Sequence, residues 1–338
     1  MRILLAIVLT LAAAWAGYWF VGSAALRSGV AAWFDARQAD GWRAEYSDLS
    51  VQGFPSRFDT TISDVALADP VSGLGWEAPF FQLLTLSYTP NHVIAMWPNE
   101  QTLHTPRQSY ALTNQDMRAS LVVAPSTALA PRRITLTAEG VALIPEDGSG
   151  AISAQTLRVA AERVEDTGNI ADARYRLGLA ASDIAPPAPL LAQLDASSAL
   201  PRVIQALAAD IIVDFDVPWD RRAIKEARPQ PTRIAVQSAD LQWGAMALAA
   251  SGVLTVDLGG RPDGTLTVTA RNWRQMLGTA VGAGVITPDM AQTAEQALSI
   301  MSAMGDDPKS LDVPLRFAGG RIWIGPLPIA PAPVLRLR

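Results

Sequence analysis

Thr265-Leu266-Thr267-Val268-Thr269-Ala270 decides the fold, because three apolar side chains alternate with three threonines at the two-residue period of a β-strand. Ile134, Leu136 and Ala138 alternate with Thr135 and Thr137 in the same way. Similar runs cover Phe81 to Tyr88, Leu121 to Val123, Leu157 to Ala161, Arg174 to Leu179, Val253 to Val256 and Arg321 to Ile324. Gly, Pro, Asn and Asp turns separate them, and residues 258–264 read as a hairpin connection. The spacing predicts a long antiparallel meander in a mainly β chain with a few helices. Residues two apart share a face, so Ile134 with Leu136, Leu254 with Val256, and Leu266 with Val268 form the expected groove floor or core.

The N-terminus has a different period. Only Arg2 is charged in the first 26 residues. Ile3 to Val21 as a helix is about 28 Å long, close to the thickness of a bilayer core. Nine of these residues are Leu, Ile, Val or Phe, which favours insertion by roughly 3 to 5 kcal/mol. Trp15, Tyr18 and Trp19 cluster at the far end, where amphipathic rings sit at the headgroup level. The reading is a single span over 1–22 with the N-terminus inside; its alternative is a signal peptide cleaved after Ala14-Trp15-Ala16. A helical stalk is expected over 23–41, with Trp33 and Phe34 docking it and Gly41 stopping it. Residues 42–338 form the β-rich remainder, divisible into two sheet halves meeting near 185–232.

Further helices are expected late in the chain. Thr287 caps one that begins at Pro288 and stops at Gly305, with Met290, Met301 and Met304 as core filler. Asn272 and Gln275 resemble a capping box, and two short helices are expected to meet at Pro201 between Leu190 and Ala209.

The remaining composition mainly excludes. The 338 residues contain no cysteine and only two histidines, which removes disulfide scaffolds, thiol nucleophiles and most His-based catalysis. A net charge of -5 disfavours nucleic acid as a partner. Gly73-Leu74-Gly75-Trp76-Glu77-Ala78 fits a loose dinucleotide pattern, but Pro79 stands where the helix should run. Asp214, Asp216 and Asp220 have oxygen ligands for a divalent ion, yet they alternate with Val213, Phe215 and Val217 as a solvated strand face does. His92, Glu100 and His104 form a second conceivable metal set, whereas Arg132-Arg133 and Arg221-Arg222 read as solvated turns. No catalytic, cofactor or metal site is assigned. Gly53-Phe54-Pro55 reads as a tight structural corner with Phe54 packed beneath the turn.

The span ending in Tyr18-Trp19-Phe20, the segment Gly53-Phe54-Pro55-Ser56-Arg57-Phe58 and the ending Val313 to Pro326 together resemble an alphaproteobacterial membrane-anchored family of unknown function with a Gly-Phe-Pro motif. That family is similar in outline to AsmA-like envelope proteins. The resemblance implies a curved sheet forming a groove or half-barrel, associated with lipid, on the periplasmic side of a bacterial inner membrane. It implies no catalytic residue. The expected function is therefore non-enzymatic, with phospholipid or acyl chains held on the apolar strand face. The alternatives are a scaffold for another envelope protein and a periplasmic hydrolase.

Overall fold

The computed structural model describes residues 1–164, 173–194, 200–225, 228–282, 284, 286–303 and 310–337. The chain is mostly antiparallel strand, with few helices. It divides into two units: Met1–Val123 with Leu136–Gly148, and Ala124–Thr135 with Ser149–Arg338. Residues 185–232 lie within the second.

The first unit opens with α1 (Arg2–Ala39), one unbroken helix that ends where Asp40 and then Gly41, at φ 84°, leave helical geometry. Its strands are β1 (Arg43–Glu45), β2 (Asp48–Gln52), β3 (Arg57–Ala68), β4 (Gly75–Leu86), β5 (Thr89–Met96), β6 (Glu100–His104), β7 (Ser109–Thr113) and β8 (Asp116–Val123), completed by the later residues of β9 (Pro131–Pro145). Strand β3 pairs with β1, β2 and β4; β4 continues to β5 and β6, which lead to β8 and to β7. The alternation of β3 buries Phe58, Thr60 and Ile62 on one side. Phe34 of α1 packs against Ala44, Leu49, Ile62 and Val65. Trp33, expected to dock beside it, is instead largely exposed, because the helix turns it about 100° away from that core.

The second unit is a meander. Strands β10 (Ile152–Arg163), β11 (Arg174–Ile184), β12 (Ile204–Phe215), β13 (Pro231–Trp243), β14 (Met246–Val256), β15 (Pro262–Arg271), β16 (Ser310–Ala318), β17 (Arg321–Ile324) and β18 (Leu327–Pro331) pair antiparallel in chain order. Register shifts beside Asp210, Asp214 and Val236 mark bulges, which bend a strand and increase its twist. Between β14 and β15 two glycines tighten the sheet. Gly252 and Gly264 have φ of 145° and 142°, and a Cβ at Gly252 would stand 2.3 Å from the Thr265 carbonyl oxygen. Helices α2 (Ala188–Leu194) and α3 (Arg221–Lys225) sit in strand connections, as do α4 (Trp273–Gly282) and α5 (Pro288–Ala303). Trp273, Met276 and Leu277 of α4 and Leu298 of α5 pack over Ala270, Leu311 and Val313.

Several local expectations change. The second of the two helices expected before Ala209 is strand β12: its Ala-rich start has helix propensity, but pairing to β11 and β13 on both sides overrides it. Asn272 does not close a capping box; its amide donates to the Ala245 carbonyl oxygen across the hairpin. Thr287 caps α5, its Oγ1 accepting from the Met290 N–H at 3.3 Å. Met290 is 58% exposed and fills no core. The side chain of Met301, and both Met304 and Gly305, fall outside the described residues.

Candidate functional site

Strand register assembles the site. Across the second unit, cross-strand partners form one row: Ala161, Leu177, Ile211, Val236, Gly252, Leu266, Leu315 and Ile324. Eight strands at about 4.8 Å spacing make the row roughly 34 Å long. Every member is apolar and partly exposed, and none reaches full burial. A parallel row on the same face, two residues along each strand, runs Tyr175, Val213, Ile234, Leu254, Gly264 and Phe317. On the other side Ala209, Ala239, Ala250, Val268 and Val313 form a third.

The two flanks are covered, and at one end of the middle row Leu315 and Ile324 pack against the helix cluster as well, while Ala161 to Leu266 stay partly exposed. Towards the third row, α4 and α5 lie over Ala270, Leu311 and Val313. Towards the second row, the segment after β18 runs past the hairpin tips: the Leu335 N–H donates to the Gly260 carbonyl oxygen at 2.7 Å, and the Leu337 N–H to Gln230 Oε1 at 2.9 Å. Beneath that segment is an apolar cavity of about 640 Å³, lined among others by Ile134, Tyr175, Val213, Phe215, Trp219 and Ile234. Its volume falls in the range of small-ligand sites.

The opposite face carries paired charges beside a short apolar row of Ile212, Ala235 and Val253. Arg176 makes a two-toothed ion pair with Asp210 at 2.8 and 2.5 Å, and Arg174 another with Asp214 at 2.5 and 3.2 Å. Thr269 donates to Asp312 at 2.6 Å. The hydrogen bond from Arg176 holds the Asp210 carboxyl below its ordinary pKa. Charge on one side and hydrocarbon on the other make this sheet amphipathic, so water contacts the polar side favourably and the middle row at a cost.

Among the residues singled out from sequence, Leu254, Leu266 and Val268 lie on the apolar face, Val256 continues the Leu254 side of β14, and Ile134 lines the cavity. Leu136 belongs to the first unit. The sequence reading missed Leu177, Ile211, Val236 and Leu315, whose alternation was available, and the terminal Val334 to Leu337 segment, which has no periodic signal.

The other candidate chemistry has been absorbed into structural pairs. Asp214 is buried, not solvated, with Arg174 and Arg233 beside it. Asp216 accepts from the Gln230 N–H, and Asp220 pairs with Arg222. His92 and His104 bond separately to Ser120 and Ser109, each at 2.8 Å. Among the described residues no three His, Asp or Glu are grouped to hold a metal ion. The Gly73 to Ala78 pattern runs from a turn into β4.

Gly53-Phe54-Pro55 is the corner between β2 and β3, with Gly53 at φ 100° where a Cβ would meet Arg57 at 2.9 Å. Phe54 is not packed beneath the turn. It is 53% exposed and stacks on Phe20 of α1 with ring centroids 5.7 Å apart. The indoles of Trp15 and Trp19 donate to the carbonyl oxygens of Pro55 and Arg57 at 2.9 and 2.7 Å, and the Tyr18 hydroxyl donates to that of Ser87 at 2.7 Å.

The chain matches the family model described as an uncharacterized protein conserved in bacteria (DUF2125) over residues 19–333, and it belongs to that family. No curated protein and no solved structure matched the chain.

Proposed function

We propose that this protein is a single-pass, membrane-anchored envelope protein that holds lipid acyl chains on the apolar face of its second unit. The observation that carries the reading is the middle row, a strip of partly exposed hydrocarbon from Ala161 to Leu266 leading beside an apolar cavity. Burying a methylene there stabilises the complex by about 0.8 kcal/mol, so a chain of ordinary length has ample driving force. The charged pairs on the reverse face keep the sheet in water while one side serves lipid. Helix α1, with mean hydropathy 2.0 over its best window, is long and apolar enough to cross a membrane. In this reading the N-terminus, with Arg2, lies inside and the β-rich part outside, in the periplasm of a bacterium with an AsmA-like arrangement.

The test is photocrosslinking of the full chain in cells fed a diazirine fatty acid, followed by peptide mapping. Crosslinks are expected on peptides carrying Leu177, Ile211, Ile234 and Leu266. Crosslinks confined to α1 overturn the acyl-binding reading.

A further inference from the structure

The docking of the Gly53 corner on α1 fixes how deep the first unit sits. From Ile3 to Trp15 the helix rises about 20 Å, some 10 Å short of a bilayer's hydrocarbon thickness. The span therefore needs the residues up to about Val21. Those residues are already occupied: Trp15, Tyr18 and Trp19 bond the carbonyls of Pro55, Ser87 and Arg57 in that order, and Gly22 approaches Phe58 so closely that a Cβ there would stand 2.8 Å from its ring. Sliding the helix outward only shortens the hydrocarbon left for the membrane.

We infer that the Gly53–Pro55 corner and the turn after β4 form a foot seated in the bilayer interface beside α1, with phospholipid as its partner. The inference rests on α1 being a membrane span. The surface chemistry fits. Phe20, Phe54 and Tyr88 are 61%, 53% and 62% exposed, and Leu86 at the same turn is also exposed. An aromatic cluster of this kind prefers the headgroup level. Three backbone carbonyls of the foot receive an indole or phenol donor from α1, which holds the foot against the helix. Arg57 and Asp59, paired at 2.9 Å, stand next to the corner with the guanidinium exposed at headgroup height.

The chain has no cysteine, so single labels test this directly. Phe54→Cys, Tyr88→Cys, Leu11→Cys and Asp40→Cys variants of the full chain are labelled with an environment-sensitive fluorophore. They are reconstituted in phosphatidylcholine–phosphatidylglycerol vesicles containing lipids with a nitroxide at shallow or deep positions. Labels at 54 and 88 are expected to lose emission to the shallow nitroxide, the label at 11 to the deep one, and the label at 40 to neither. Quenching at 11 with solvent-like emission at both 54 and 88 overturns the foot and leaves the span standing. No quenching at 11 overturns the span and the foot with it. Tyr88 projects from a hairpin tip, so its result stands even if the Phe54 variant misfolds.

Discussion

Replacing Leu266 by Asp separates an open apolar face from a packed core. Leu266 is partly exposed between Gly252 on β14 and Leu315 on β16. Full burial of a leucine is worth about 1.5–3 kcal/mol, so a partly exposed one loses about 1–2 kcal/mol on removal. A carboxylate at that position keeps much of its hydration and escapes the larger penalty of buried charge. For a unit of this size 1 kcal/mol corresponds to a fall in Tm of about 2–4 °C. Leu311, 4% exposed beneath Trp273, is the contrast. Leu311→Asp forfeits about 2–5 kcal/mol of packing and adds several more for the charge, enough to unfold a domain. The assay is thermal circular dichroism of both variants, with fatty-acid photocrosslinking of the one that folds. Leu266→Asp is expected to fold and to lose most of its crosslinks near β15. If it unfolds as Leu311→Asp does, the face is a closed core; if it folds and crosslinks like the wild type, acyl chains do not lie there.

Three further outcomes follow from particular contacts. Gly252→Ala is expected to cost about 2 kcal/mol or more, since its φ of 145° and the Thr265 oxygen at 2.3 Å both oppose a Cβ, whereas Gly178→Ala, with Ala160 at 3.9 Å, is tolerated; urea unfolding checks both. Trp19→Ala removes a buried indole and its bond to Arg57, and about 3–5 kcal/mol of lost docking should appear as faster hydrogen exchange in the corner between β2 and β3. Asp210 has a depressed pKa through Arg176, so its contribution to stability is present above the ordinary carboxylate value near 3.9 and is lost as pH falls through the lower folded value. Asp210→Asn should thus be less stable than wild type at pH 7 and converge with it in acid, by unfolding midpoints across that range.

Legibility in the sequence tracked how local the cause was. The strand over 265–270 and the hairpin around Gly259 and Gly260 depend on neighbours in the chain, and alternation alone displays them. Strand β12 was misread because Ala206 to Ala209 have helix propensity, while the partners that force extension lie in β11 and β13. Trp15 and Trp19 stand out by composition at the end of the apolar stretch, but their acceptors lie 40 and 38 residues away, at Pro55 and Arg57. Likewise the row from Ala161 to Ile324 exists only once register is fixed, since a one-residue slip in any strand would turn its members outward.

The segment after β18 bears on how the apolar face is filled. It covers the cavity with Val334, Leu335 and Leu337, yet Val334 and Leu337 remain exposed, and among the described residues it is held by the bonds of Ala332 to Gly320, Leu335 to Gly260, and Leu337 to Gln230 in both directions. Hydrogen bonds of this kind contribute about 0.5–1.5 kcal/mol each. Half-exposed side chains add a similar amount, so the segment is held by a few kcal/mol, comparable with the burial of about five methylenes. An acyl chain entering from the middle row would match it once about five methylenes were buried. Deleting residues 333–338 should leave the meander folded, because its strands pair among themselves, and should expose Phe215, Trp219 and Ile234 to solvent. The expected result is a melting curve close to wild type together with increased binding of a fluorescent apolar probe and increased fatty-acid crosslinking on β12 and β13. A truncated chain that melts far below wild type would show that the segment belongs to the core, and one with unchanged probe binding and crosslinking would show that the cavity is not in competition for hydrocarbon.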